Sequence, residues 1–162
     1  MALLSLRRTL SHPAPLLATG FGSGLSPRAP GTVGTAVALL PWWFLQALPW
    51  WQYALVLAVA FAIGVWAADW VIRETGVQDP GLVVWDEFVG VWITLAATAA
   101  DPAWMLVGFA VFRLFDIWKP WPIGAIDERV GGGFGAMLDD ALAGVFGLLA
   151  MLALQAGWRA LG

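Results

Sequence analysis

The chain contains no cysteine and only one histidine, His12, among its 162 residues. Disulfides, thiolate metal sites and thiol nucleophiles are therefore excluded. His12 precedes the first long apolar run, where we expect a solvated residue of an amphipathic segment, so mechanisms that need a catalytic histidine lack one. Any bound metal has to be held by oxygen ligands, which favours Mg²⁺ or Mn²⁺ over Zn²⁺.

Charged residues are also scarce. They make up 12% of the chain, whereas 60% of its residues are hydrophobic and the mean hydropathy is +0.79. Soluble domains average about 25% charged and about 45–50% apolar residues. The composition therefore predicts an integral membrane protein that forms a single domain over residues 1–162. The net charge of −3 comes from localised acids and gives no indication of nucleic-acid binding.

The hydrophobic runs predict an all-α fold, a helical integral membrane bundle with about four to five hydrophobic segments. The runs cover residues 33–50, 54–72, 82–100, 103–118 and 136–158. The fourth run is short for a crossing, which needs about 20 residues. Residues 1–19 precede the runs and are predicted to form an amphipathic segment on the membrane.

Tryptophans cluster at the end of the first run and are candidates for an interfacial belt, because the indole ring is apolar with one polar tip. Ordinary core packing is the equal alternative for each of them. The candidates are Trp42, Trp43, Trp50 and Trp51.

Counting membrane crossings from residue 20 brings most of the charge to one face. Ten of the eleven acids and seven of the eight Lys and Arg residues then lie on or near this face. The positive-inside rule makes the face cytoplasmic. The sequence therefore predicts a polar site that faces the cytoplasm.

Acidic residues lie at the ends of separate hydrophobic runs, as Asp86-Glu87, Asp116 and Asp139-Asp140. Ionisable groups at membrane depth are costly and indicate a functional site. Asp139 and Asp140 fall inside the first turns of a helix, where burial without a cation is unfavourable. A divalent metal removes this cost. The predicted metal ligands are Asp86, Glu87, Asp139 and Asp140.

The segment GFGSGLSPRAPG (20–31) contains glycines, two serine hydroxyls and one guanidinium, immediately before a predicted helix start. This combination is typical of an oxyanion-binding site. It lacks the lysine of a Walker loop. Two further cations flank Asp116 at a spacing of three residues, which places them on one helical face. The predicted phosphate-binding residues are Ser23, Ser26, Arg28, Arg113 and Lys119.

Two other charged features have simpler interpretations. Asp69 lies four residues before Arg73, so we expect an ion pair within one helix. The run Asp127-Glu128-Arg129 is typical of a solvated loop, with a role in the site as the less favoured alternative.

Four blocks of the sequence resemble the phosphatidylglycerophosphatase A family, in the family's order and spacing. They are GFGSGLSPRAPGTVGT (20–35), VVWDEFVGVWIT (83–94), FRLFDIWKPWPI (112–123) and GGGFGAMLDDALAG (131–144). The resemblance implies a lipid phosphatase of the bacterial inner membrane that depends on Mg²⁺ and converts phosphatidylglycerophosphate to phosphatidylglycerol. It also implies catalytic roles for the family's acidic positions, which here are Asp86, Glu87, Asp116, Asp139 and Asp140.

Alternatives remain open at this point. Asp116 is a further metal ligand, a general base or a nucleophile, and water attacks the phosphate either directly or after a phospho-aspartate has formed. A non-enzymatic alternative is a cation transporter or channel that uses the acids as an ion site. The predicted position of the acids near one face argues against an ion pathway. A phosphatidyltransferase is disfavoured because its Asp-Gly and Ala-Arg signature is missing.

Overall fold

The computed structural model describes residues 12–78 and 80–161. Within these ranges all regular structure is helical, which confirms the all-α part of the predicted fold class. Residues 1–11 of the predicted amphipathic segment lie outside the described ranges. In chain order the elements are α1 (Pro13–Ala18), a 3₁₀ turn (Ser23–Leu25), α2 (Pro30–Leu45), α3 (Trp50–Thr75), α4 (Trp85–Thr94), α5 (Pro102–Trp118), α6 (Ile123–Arg129) and α7 (Gly132–Leu161).

The number of helices that can cross a membrane differs from the prediction. Each hydrophobic run forms a helix, but in the described part of the chain only α3 and α7, with 26 and 30 residues, are long and apolar enough to span. The predicted run 82–100 is helical only as far as Thr94. Its 10 residues rise about 15 Å, half of a hydrocarbon core about 30 Å thick. Two apolar helices therefore indicate membrane association, and four to five crossings are not confirmed.

The short helix α4 lies at the centre of the fold and packs against α2, α3, α5 and α7. Its apolar side chains, such as Phe88 and Val91, are almost fully buried. Two indoles tie it to its neighbours: Trp85 Nε1 donates to the Ala60 carbonyl at 2.9 Å, and Trp92 Nε1 donates to the Ala38 carbonyl at 2.8 Å. Because each buried N–H has a partner, these bonds fix the position of α4.

The tryptophans at the end of the first run divide between core and surface. Trp42 is fully buried, whereas 40% of Trp43, 82% of Trp50 and 54% of Trp51 is exposed. The core alternative is therefore correct for Trp42, and the other three occupy the surface that an interfacial belt requires.

Close packing of α4 on α7 depends on small residues. A Cβ atom added to Gly144 would collide with the carbonyl of Gly90, and Ala143 is fully buried. Small residues let helix backbones approach closely. This contact sets the acidic start of α4 against the acids in the second turn of α7.

The start of α7 is capped by a side chain from another helix. Asp69 Oδ1, in the last third of α3, accepts a hydrogen bond from the Gly133 amide at 2.6 Å. The predicted ion pair with Arg73 is wrong, since Arg73 Nε donates instead to the main-chain carbonyl of Asp69 at 3.1 Å. A carboxylate at a helix N-terminus satisfies a free amide and the helix dipole together, and this preference outweighs a surface ion pair.

Candidate active site

A cavity of about 510 Å³ lies where α2, α4, α5, α6 and α7 meet. Its walls carry six acidic and two basic side chains. If all are charged, they give the cavity a formal charge of −4, which favours cations over anions. The charged residues are Asp86, Glu87, Asp116, Asp127, Asp139, Asp140, Arg113 and Lys119.

Three carboxylates converge closely enough to share one metal ion. Asp86 and Glu87 occupy the first turn of α4, and Asp140 faces them from α7. One oxygen from each lies within 4.8 Å of the others. Burial, followed by the neighbouring charges of Glu87 and Asp139, raises the pKa of Asp86. A bound divalent cation would offset the repulsion between these carboxylates and the cost of burying their charge. Carboxylate oxygens are hard donors, which suit Mg²⁺.

Asp139 has a different environment from Asp140, although the two are adjacent. Asp139 Oδ2 accepts a hydrogen bond from Lys119 Nζ at 2.6 Å. Its Oδ1 is buried and has no hydrogen-bond partner among the residues described. Consecutive helix residues point about 100° apart. Asp140 therefore faces Asp86 and Glu87, whereas Asp139 faces Lys119. Three of the four predicted metal ligands thus converge, and metal binding by Asp139 stays a prediction.

Arg113 joins two of the acids that the sequence selected. Its Nη1 forms an ion pair with Asp116, three residues further along α5, and contacts Glu87 Oε1 at 3.4 Å. It also lies 3.5 Å from the buried hydroxyl of Thr35. The side chains of all three charged residues are at most 15% exposed. Ion pairs with so little access to water are weakly screened, so they fix the orientation of both carboxylates.

Lys119 connects α5, α6 and α7. Its Nζ lies 2.6 Å from Asp139 Oδ2 and 2.8 Å from Asp127 Oδ1. Burial acts to lower the pKa of Lys119, but hydrogen bonds to Asp127 and Asp139 outweigh it, and the pKa lies above its ordinary value. The ammonium is therefore charged throughout the physiological pH range. The sequence predicted Asp127 mainly as a solvated residue. Its contact with Lys119 depends on the position of α6 in the fold, which the local sequence does not show.

The main chain at the start of α2 lies directly against the carboxylate of Glu87. A Cβ atom added to Gly31 would collide with Glu87 Oε1 and lie 3.2 Å from Arg113 Nη1. Residues 29–32 also line the cavity. The Gly-rich segment therefore reaches the site, through its last residues and its backbone.

The three predicted phosphate ligands of this segment are not among the residues that line the cavity. Ser23 Oγ donates to the Gly20 carbonyl at 2.8 Å, and Ser26 Oγ donates to the Arg28 carbonyl at 2.9 Å. Arg28 is exposed. Both hydroxyls thus shape the loop, and phosphate binding by Ser23, Ser26 and Arg28 stays a prediction. Of the predicted cations, Arg113 and Lys119 face the cavity.

Comparisons with known proteins agree with the sequence blocks. The family model for Phosphatidylglycerophosphatase A matches residues 16–155. An Escherichia coli protein of that name is 49% identical over 86% of this chain and 81% of its own length. A Haemophilus influenzae protein of the same name is 43% identical over 91% of both chains.

A third relative has a different name. A Bacteroides thetaiotaomicron protein, provisionally named phosphatidylinositol-3-phosphatase, is 46% identical over 83% of this chain and 88% of its own. No solved structure matches the chain significantly.

Proposed function

This chain belongs to the phosphatidylglycerophosphatase A family, and we propose that it hydrolyses the terminal phosphate of phosphatidylglycerophosphate to phosphatidylglycerol and inorganic phosphate, with Mg²⁺ as cofactor. The observation that carries the proposal is the convergence of Asp86, Glu87 and Asp140 beside two cations, within the region that the family model matches.

The residues of the cavity divide into two groups with separate tasks. Asp86, Glu87 and Asp140 would hold Mg²⁺, with Asp139 as a further candidate. When bound, the metal supplies positive charge that offsets the carboxylates and the phosphate oxygens. Arg113 and Lys119 would hold phosphate oxygens, since both present N–H donors to the cavity.

Asp116 would serve as a further metal ligand, as a general base or as a nucleophile. As a general base it accepts a proton from water, whose oxygen forms the new bond to phosphorus as the bond to the glycerol oxygen breaks. As a nucleophile it forms a phospho-aspartate that water then hydrolyses. In both routes the glycerol oxygen gains a proton. A substrate with a chiral phosphorus distinguishes them, because direct attack inverts the configuration and the covalent route retains it.

We further propose that the protein spans the bacterial inner membrane more than once, with the site facing the cytoplasm. The contact between Asp69 and Gly133 supports this arrangement, since it joins the end of α3 to the start of α7 beside the cavity. Arg73, in the last turn of α3, lies at the end of the fold that contains the cavity. Arg159 lies in the last turn of α7, at the opposite end. A lipid headgroup could then enter the cavity while its acyl chains stay in the bilayer.

The transporter alternative has no support from the relatives, all of which have the names of phosphatases. Phosphate release from phosphatidylglycerophosphate in mixed micelles tests the proposed function. Phosphatidylinositol 3-phosphate is the comparison substrate, because one relative is named for it. We expect faster release from phosphatidylglycerophosphate. Release from the inositol lipid alone would overturn the substrate, and no release by folded protein would overturn the function.

A further inference from the structure

Asp127 lines the cavity without a task in the chemistry proposed above. It lies in α6, apart from the three acids whose oxygens converge on a metal position. Its Oδ1 is 2.8 Å from Lys119 Nζ, and its side chain is 42% exposed. Among the described residues, Asp127 is therefore connected to the site through this lysine.

Lys119 has a backbone conformation that few residues of its type adopt. It ends α5 with φ 44° and ψ 56°, in the left-handed region. Glycine or asparagine is the usual residue in this conformation at the end of a helix. Other side chains persist there only where the surrounding structure maintains them, and such positions concentrate at functional sites. The conformation of Lys119 is therefore consistent with a functional position.

Two acids hold the ammonium of Lys119 from different helices. Asp139 of α7 and Asp127 of α6 each accept one of its hydrogen bonds, at 2.6 and 2.8 Å. An ammonium has three N–H donors, so one remains for a ligand in the cavity. A lysine side chain is long and flexible, and a single partner would leave the direction of that donor undefined.

We propose that Asp127 is a positioning residue, which holds the Lys119 ammonium where it binds an oxygen of the substrate's phosphate monoester. This inference rests on the proposed phosphatase function. Its consequence is that Asp127 affects the affinity for the phosphate and leaves the metal requirement unchanged, because the converging carboxylates belong to other residues.

Kinetics of Asp127→Asn in the full-length protein test this assignment. The substitution keeps the size of the side chain and removes its charge. We expect the KM for phosphatidylglycerophosphate to rise about tenfold, the effect of losing one charge-assisted contact, while kcat and the half-saturating Mg²⁺ concentration stay near those of wild type. Asp127→Glu should restore part of the affinity. Glu128→Gln, at the exposed neighbouring residue, is the matched control and should change none of these three quantities.

A double-mutant cycle shows whether Asp127 acts through Lys119. In a Lys119→Met background, Asp127→Asn should cause no further rise in KM. If Lys119→Met does not fold, the Ki for inhibition by inorganic phosphate provides the test. This Ki should rise in Asp127→Asn together with the KM.

Several results would overturn the assignment. One is an additive effect of the two substitutions in the cycle, and another is an unchanged KM or Ki in Asp127→Asn. A third is a lower kcat and melting temperature at constant KM, since this result would indicate a purely structural role. An inactive but folded wild type would instead overturn the proposed function, and this assignment with it.

Discussion

Lys119 Nζ lies 2.6 Å from Asp139 Oδ2, and this contact gives Asp139 a partner that differs from those of the adjacent Asp140. Asp140, the next residue, faces Asp86 and Glu87. A sequence containing two consecutive aspartates does not distinguish them, because both are compatible with a metal site. The fold distinguishes them through their partners.

This division predicts different responses to Mg²⁺. Asp140→Asn should lower activity more than about 100-fold at ordinary Mg²⁺, beyond the range typical of groups that only support a metal ligand. Raising the Mg²⁺ concentration should recover part of the loss. Asp139→Asn should lower activity through its contact with Lys119, and added Mg²⁺ should not recover it. The measurement is a Mg²⁺ titration of phosphate release for each variant. Equal recovery of both would contradict separate tasks.

A second prediction concerns the close approach of α2 to Glu87. Gly31→Ala should reduce activity about tenfold or more, because the new Cβ would displace a carboxylate and its arginine partner. The matched control is Gly157→Ala, where nothing lies within 4 Å of the added atom. Phosphate release is measured for both at saturating Mg²⁺. Full activity of Gly31→Ala would mean that the position of Glu87 is unimportant for catalysis.

A third prediction concerns the cap on α7. Asp69→Ala should lower the free energy of unfolding by about 1 kcal/mol, the usual cost of removing an N-terminal cap. Asp69→Asn should lose less, because its side-chain oxygen can still accept from the Gly133 amide. Chemical unfolding in detergent, followed by circular dichroism, measures both. A larger loss for Asn than for Ala would argue against capping.

A fourth prediction concerns the geometry of Arg113. Arg113→Lys should lower activity at least about tenfold, because the lysine side chain is one bond shorter than the path to Arg113 Nη1, the atom that contacts both partners. Those partners are Glu87 and Asp116. The assay is phosphate release with the melting temperature measured in parallel. Wild-type activity in Arg113→Lys would show that charge alone is sufficient at this position.

Much of the site could be predicted because its acids lie at the ends of hydrophobic runs. Counting crossings placed Asp86, Asp116 and Asp140 at one end of the fold, and the cavity contains all three. These predictions depend on helix order and spacing, which the sequence contains.

The other features depend on side-chain direction and tertiary packing. Helix α4 ends at Thr94 although the apolar run continues, so the length of this run did not predict the length of the helix. Asp69 had a suitable partner four residues away, but it caps α7 through Gly133, which lies 64 positions further along the chain. Asp127 resembled a solvated charge because nothing local connects it to Lys119, and only the position of α6 brings the two together.

The most direct test of the central claim is phosphate release from phosphatidylglycerophosphate by purified wild type and Asp140→Asn, each with Mg²⁺ and with EDTA. Circular dichroism of both proteins provides the control for folding. We predict release by wild type with Mg²⁺, no release with EDTA, and a nearly inactive variant in both conditions. Undiminished release by wild type in EDTA, or by Asp140→Asn with Mg²⁺, would contradict a metal-dependent phosphatase site at these carboxylates.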